Sequence, residues 1–291
     1  MPEDASVTAA TAHSFAALER LRGSRAFVFD MDGTLVLGDK TNHGLAPLPG
    51  ALEITRFLST RGVPFVLFTN GTARTPQEYV EILRNAGFPL PDNGVMTPAS
   101  SAADHFRRRG FRRILTLGGE GLKKPLREAG MEIVSPEGKP EADAVLVGWF
   151  REFTMSALEA ACHAAWGGAK VYSCSQSLYF ATAQGKALGT SRAISAMIKD
   201  LTGARIHVIG KPALEALRCA ARLLGVRTKE LTIVGDDPTL EIPMALRGGA
   251  LAVAVNTGIG AANSYADLPE KQRPHLLVHD VDELLALYKG H

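Results

Sequence analysis

A chain of 291 residues, 46% hydrophobic and 21% charged, has the balance of a globular protein and room for one large or two ordinary domains. A formal net charge of +2 gives no ground for expecting a nucleic-acid or membrane partner. Its three cysteines, Cys162, Cys174 and Cys219, lack the paired short spacing of a zinc site or a disulfide framework and suit a reducing compartment.

In chain order, residues 1–12 are small and polar and read as frayed. Glu3 and Asp4, with no apolar run beside them, argue against a secretory leader. No apolar stretch is long enough to span a bilayer, and a cytoplasmic location is expected. Ser14 caps a short helix with Phe15, Leu18 and Leu21 at helical spacing, and Gly23 ends it. Phe27-Val28-Phe29-Asp30-Met31-Asp32-Gly33 then reads as a buried parallel strand ending in carboxylates. Chemistry in open α/β sheets sits past such carboxyl ends. Residues i and i+2 of a strand point the same way, so Asp30 and Asp32 are expected to face one site, with Gly33 allowing a sharp turn. A calcium loop counted from Asp30 would need Glu at its twelfth position, where Thr41 stands.

Val36 to Lys40 reads as part of a small hairpin, and Ala51 to Thr60 as a helix closed by Gly62. Val63 to Phe68 is a second buried strand, ending in Thr69-Asn70-Gly71. A hydroxyl, an amide and a glycine at a strand tip form a cradle for an oxyanion. Thr75-Pro76 and Thr97-Pro98 start two further helices. Arg107, Arg108, Arg109, Arg112 and Arg113, with Lys123 and Lys124 after them, read as a solvated helix end and loop rather than an anion site.

From Ile114 to Ser173 the chain has a βα pattern of its own: strands at Ile114–Leu117, Ala144–Gly148 and Lys170–Tyr172, and a helix over Met155 to Trp166. A helix over Thr190 to Leu201 and a strand at Ile206–Ile209 lead to Gly210-Lys211-Pro212, which can point an ammonium into the same crevice. Leu231 to Asp237 repeats the opening plan, an apolar strand ending at a glycine and acids. Carboxylates at the ends of two strands, Asp30 and Asp236, suit a hard cation, and Mg²⁺ is the usual one with phosphate substrates.

Asp30-Met31-Asp32-Gly33-Thr34-Leu35 resembles motif one of the haloacid dehalogenase (HAD) superfamily. There the first Asp is a nucleophile and the second a general acid/base, and an Asp in the second position marks the phosphatases. Thr69 resembles motif two, Gly210-Lys211-Pro212 motif three, and Gly235-Asp236 motif four, with Glu241 where a second Asp is common. The whole run from Asp30-x-Asp-Gly-Thr-Leu through Pro49-Gly50-Ala51 to Phe68-Thr69-Asn70 is similar to the type IIA branch, the NagD-like and p-nitrophenylphosphatase/phosphoglycolate phosphatase group.

The resemblance covers the chain from about residue 25. It implies an α/β fold: a doubly wound, mostly parallel Rossmann-like core with an inserted α/β cap of the C2 type. The expected division is core over 1–104, cap over 105–177 and core again over 178–291. It implies Mg²⁺ held by Asp30, the backbone carbonyl of Asp32, and Asp236, with Glu241 behind them; Thr69, Asn70, Gly71 and Lys211 on the phosphate; and the Val36 hairpin as a flap. Asp143 to Gly148 is similar to the family's entry into a substrate-specificity loop. Where relatives have an aromatic and then Asp, this chain has Trp149-Phe150-Arg151-Glu152. At the cap's exit Cys174-Ser175-Gln176-Ser177 replaces Thr-Asn-x-Asp. Both departures concern substrate choice and leave the chemistry alone.

The expected function is hydrolysis of a small phosphomonoester (a sugar phosphate, nucleotide or phosphoglycolate-like compound) through an aspartyl-phosphate on Asp30, with Asp32 as acid and base. A catalytically weak regulator on the same fold and transfer to an acceptor other than water are the competing readings. No nucleic-acid or membrane partner is expected, and the oligomeric state is left open, a homodimer among the options.

Overall fold

The structure, a computed structural model, describes residues 14–38, 45–182, 185–258 and 265–290. Two parallel sheets, each covered by helices on both faces, divide the molecule.

The first sheet grows around β1 (Ala26–Asp30), every residue of which is buried. Before it, α1 (Phe15–Arg22) starts at Ser14, whose hydroxyl accepts from the Ala17 amide. After it, β2 (Val36–Gly38) and β3 (Leu45–Pro47) pair as an antiparallel ribbon; the tip of the expected hairpin, at Asp39 and Lys40, falls outside the described residues. α2 (Ala51–Thr60), β4 (Phe65–Phe68), α3 (Pro76–Asn85) and β5 (Val95–Met96) follow. Gly50 sets the entry of α2: its φ is 76°, and a Cβ there would lie 2.6 Å from Asp282. Thr75 and Glu78 close a capping box at the start of α3.

The chain then leaves for the second sheet through α4 (Pro98–Arg109), β6 (Arg113–Leu117), α5 (Glu120–Glu128), β7 (Glu132–Val134), β8 (Ala144–Val147), α6 (Met155–Trp166) and β9 (Lys170–Ser173). A ribbon of β10 (Tyr179–Thr182) and β11 (Gly185–Leu188), α7 (Thr190–Thr202) and β12 (Ile206–Val208) complete it. It comes back through α8 (Leu214–Leu223), β13 (Leu231–Gly235), α9 (Glu241–Gly248), β14 (Leu251–Val255), β15 (Leu276–Val278) and α10 (Val281–Lys289).

The first sheet has the order β15-β14-β13-β1-β4-β5 and the second β12-β9-β8-β6-β7, all pairs parallel. In the first sheet alternate residues serve alternate faces. Phe27 and Phe29 pack toward α1, α2 and α10, while Val28, Val66 and Phe68 pack toward α8 and α9. Each of these side chains, fully buried, contributes about 1.5–3 kcal/mol.

The expected division of the chain needs correction at both ends of the insertion. β12 pairs with β9, so the second sheet extends to Val208 instead of ending near 177. α4 also belongs with it: Ala99, Ala102 and Phe106 pack on Ile114, Leu146 and Tyr172. An apolar run shows that a strand is buried, but which sheet it joins is fixed by partners far off in the chain. The arginine-rich end of α4 is solvated, and Arg113 pairs with Glu132 at 3.6 Å and Glu141 at 3.2 Å.

Candidate active site

Parallel pairing brings three strand ends to one edge. Asp30 stands opposite Phe68, so Thr69 lies just beyond it, and Phe29 stands opposite Val234, so Gly235 and Asp236 follow at the same level. Asp30, Thr69 and Asp236 are all buried. The strand stops at Asp30, and a tight turn with Gly33 at φ 84° carries Asp32 to the mouth of the cleft. A Cβ on Gly33 would lie 2.6 Å from Asp236 Oδ2, so glycine is required there by space as well as by φ. The turn, and not the strand pleat, brings Asp32 alongside Asp30. Thr34 Oγ1 donates to Asp30 Oδ2 at 3.3 Å.

Asp32 reaches solvent on one side and is hemmed in by protein on the other. That crowding, and after it the Asp30 charge, raise its carboxyl to about 6, against the pull of Lys211 and Thr69. Thr69 Oγ1 donates to Asp32 Oδ2 at 3.3 Å and accepts from the Gly71 amide at 3.0 Å.

Lys211 is buried with its ammonium against the Asp30 carboxylate. It donates to Phe68 O at 2.9 Å and lies 2.6 Å from Glu241 Oε1. That last contact is an ion pair without hydrogen-bond alignment, and among the described residues neither Glu241 carboxylate oxygen has a hydrogen-bond partner. Burial disfavours the ammonium, but Asp30 and Glu241 outweigh it and hold Lys211 above the ordinary lysine range. Burial also pushes the Glu241 carboxyl up; Lys211 pulls it down and Asp30 raises it again. The two shifts pull in different senses, one needing a charged Glu241 and the other favouring a neutral one. Two hydrogen-bond acceptors, Asp30 and Phe68 O, and the Glu241 carboxyl around one ammonium make a charged Lys211 the firmer of the two.

Asn70 differs from expectation. Its Oδ1 accepts from the Lys211 amide at 2.8 Å and its Nδ2 donates to Lys211 O at 3.0 Å. The side chain read as an anion donor brackets the Lys211 backbone. The Gly71 amide is likewise engaged by Thr69.

Asp236 O accepts from Tyr265 Oη at 2.8 Å, and Thr257 Oγ1 donates to Gly33 O at 2.5 Å, tying each acid-bearing loop to a residue that follows β14. Asp237 turns away: its Oδ1 accepts from the Thr239 amide at 2.7 Å and hydroxyl at 2.6 Å. Glu241, on the first turn of α9, is buried under Gly235, where a Cβ would collide with it.

Trp149, Phe150, Arg151 and Glu152 form the loop after β8. Phe150 packs on the second sheet's own apolar cluster and meets Phe153 edge-on at 6.4 Å. Arg151 lies over the Trp149 ring at 6.0 Å, and Arg151 and Glu152 are exposed.

Residues 27–132 match the model of the haloacid dehalogenase-like hydrolases, and residues 208–284 match a second, HAD-hydrolase-like model. The chain belongs to the haloacid dehalogenase-like hydrolases. It is 27% identical to the 5'-nucleotidase YutF of Bacillus subtilis over 89% of this chain and 96% of that one. The solved 4-nitrophenylphosphatase of Thermotoga maritima superposes with a TM-score of 0.78 at 28% identity, over 91% of this chain and 97% of that one. NagD of Escherichia coli K-12 superposes equally well, with a TM-score of 0.78 at 25% identity, over 89% of this chain and 98% of that one. The first sheet is therefore the haloacid dehalogenase Rossmann-like core, and the second sheet its cap.

Phosphatases of the haloacid dehalogenase type work with a divalent metal. Among the described residues no cluster of three or more His, Cys, Asp or Glu side chains is set up to take one. The donors expected here are two carboxylates, Asp30 and Asp236, and one backbone carbonyl, a set that needs no such cluster. Asp30, Asp32, Asp236 and Glu241 bring four carboxyl groups to the edge where Lys211 is buried, and among the described residues neither Glu241 oxygen has a hydrogen bond. That excess of hard oxygen donors fits a cation. The motif residues are legible in the sequence; Tyr265 and Thr257 are not, because single hydroxyls in loops carry no pattern.

Proposed function

We propose that the chain is a Mg²⁺-dependent phosphatase of small phosphomonoesters that works through an aspartyl-phosphate on Asp30. The observation that carries the reading is the pairing of unlike carboxyls at one sheet edge. Asp30 lies against the Lys211 ammonium, while Asp32, beside it, has a carboxyl raised to about 6. Two neighbouring acids set to different tasks are what nucleophile and proton carrier require.

Asp30 attacks phosphorus, and Asp32 delivers a proton to the leaving oxygen. Asp32 then takes a proton from the water that hydrolyses the phosphorylated Asp30. Lys211 and the Thr69 hydroxyl donate to the phosphoryl oxygens, where charge sits in the transition state. Asn70 contributes by fixing the Lys211 backbone, and Gly71 by fixing the Thr69 hydroxyl. Asp30, Asp236 and the Asp32 carbonyl would hold Mg²⁺, which supplies charge neutralisation between carboxylate and phosphate.

The relatives named for nucleotides and nitrophenyl phosphate direct the choice of substrates. The test is turnover of p-nitrophenyl phosphate, AMP, glucose 6-phosphate and 2-phosphoglycolate, with Mg²⁺ and with EDTA. Metal-dependent release of phosphate from at least one, abolished by Asp30→Asn, is expected. Turnover that survives either treatment overturns the reading.

A further inference from the structure

Two successive amides of the cap loop are held by threonines from different parts of the fold. Trp149 N–H donates to Thr72 Oγ1 at 2.9 Å, and Phe150 N–H donates to Thr190 Oγ1 at 3.2 Å. Thr190 opens α7 within the cap, whereas Thr72 lies on the core loop that begins at Thr69 and is 4% exposed. The loop is thus tied once to the cap and once to the core.

The surfaces around Thr72 are closed by glycines. A Cβ on Gly148 would lie 2.7 Å from Leu122 and 3.2 Å from Thr72 Oγ1. A Cβ on Gly121 would lie 2.6 Å from Thr72 O and 2.7 Å from the backbone of Ala73 and Arg74. Cap backbone therefore meets core backbone directly, with no side chain between to absorb a shift. Interfaces packed this closely transmit small displacements instead of damping them.

We propose that Thr72 is a positioning residue for substrate choice: its hydroxyl sets Trp149 and the loop through Glu152 against the core edge where Thr69 lies, without touching the reacting atoms. The kinetic part of this inference rests on the phosphatase reading. An ester whose leaving group must be walled by the cap depends on that setting. p-Nitrophenyl phosphate, with a good leaving group, depends on it little.

The test compares Thr72→Val, which keeps the volume and removes the acceptor, with Thr72→Ser, which keeps the acceptor. Hydrogen exchange at the Trp149 amide is read beside kinetics on p-nitrophenyl phosphate, AMP and glucose 6-phosphate. Thr72→Val should lose protection at Trp149 and raise KM up to roughly tenfold for whichever of AMP and glucose 6-phosphate the wild type hydrolyses, the loss of about one hydrogen bond. Its kcat on p-nitrophenyl phosphate should stay within about twofold, and Thr72→Ser should match wild type throughout. Unchanged exchange at Trp149, equal losses on every substrate, or a Thr72→Ser variant as impaired as Thr72→Val overturns the proposal. Where Val is not accommodated, Thr72→Ala removes the same acceptor and is read in the same way. A wild type that hydrolyses none of the esters sinks the phosphatase reading; exchange at Trp149 then decides the tie alone, lost in Val and kept in Ser if Thr72 holds the loop, alike in both if it does not.

Discussion

Lys211 Nζ lies 2.6 Å from Glu241 Oε1, with both side chains buried and the Asp30 carboxylate on the ammonium's other side. Removing one member of a buried ion pair costs about 3–5 kcal/mol, because the partner charge is left uncompensated. Lys211→Met should therefore lose stability on that scale, seen as an earlier urea midpoint in metal-free buffer. Glu241→Gln should cost far less, since burial already favours the neutral carboxyl there and Asp30 still faces the ammonium. Equal losses would show that the pair, and not the excess of carboxylates, governs the local energy.

Asp30→Asn keeps the shape and removes the nucleophile. We expect turnover to vanish on every phosphomonoester while the fold is kept; Glu241 still faces the Lys211 ammonium, so the unfolding midpoint should fall less than that of Lys211→Met. Asp32→Asn should instead slow turnover by roughly 10²–10⁴, the usual weight of proton transfer. A variant at Asp30 with wild-type rates would place the nucleophile elsewhere.

The raised Asp32 carboxyl also fixes the sign of a stability effect. Its folded value, about 6, lies above the ordinary 3.8, so the folded state holds the proton where the unfolded chain has released it. Stability from this group is lost as pH rises from near 4 to near 6, and the cost is constant above that. Asp32→Asn escapes it. In metal-free buffer the variant should melt above wild type at pH 8, with the gap closing toward pH 4. A gap that widens toward acid would mean that Asp32 is stabilised as the anion.

Much of this site could be read in the sequence because it sits where pattern is strongest. Asp30, Thr69 and Asp236 each end an apolar run, and parallel pairing brings such ends together. Legibility failed where long-range pairing decides. Ile206–Val208 reads as a buried strand, yet it is a half-buried edge strand whose neighbour is Lys170–Ser173 in the cap. It failed again at Asn70: an amide at a strand tip suits an anion or a backbone equally, and only the fold brings Lys211 within 2.8 Å of it. α5 was missed because Gly121 and Pro125 break its helical pattern, although both are accommodated within it.

Metal dependence separates two adjacent acids. Asp236 faces the Gly33 turn, whereas Asp237 is spent on Thr239. Adding Mg²⁺ should raise the melting temperature of wild type and of Asp237→Ala by similar amounts, since a ligand at about 100 times its Kd contributes roughly 2.7 kcal/mol. Asp236→Ala should show little shift. The opposite ranking would refute the assignment of Asp236 to the metal.

The cap loop divides into a packed part and a solvent-facing part. Phe150 is half-buried on the cap's apolar cluster, so Phe150→Ala should destabilise by up to about 3 kcal/mol and affect all substrates through the fold. Arg151 and Glu152 are exposed, so their removal should leave the melting temperature unchanged. If they read the leaving group, Arg151→Ala or Glu152→Ala lowers kcat/KM on the preferred ester by roughly tenfold to a hundredfold, the loss of a charged hydrogen bond. p-Nitrophenyl phosphate, which offers neither of them a polar partner in its leaving group beyond the nitro oxygens, should be nearly unaffected. Equal losses on both substrates, or none on either, would make the loop structural and move substrate choice to the Cys174–Ser177 side of the cap.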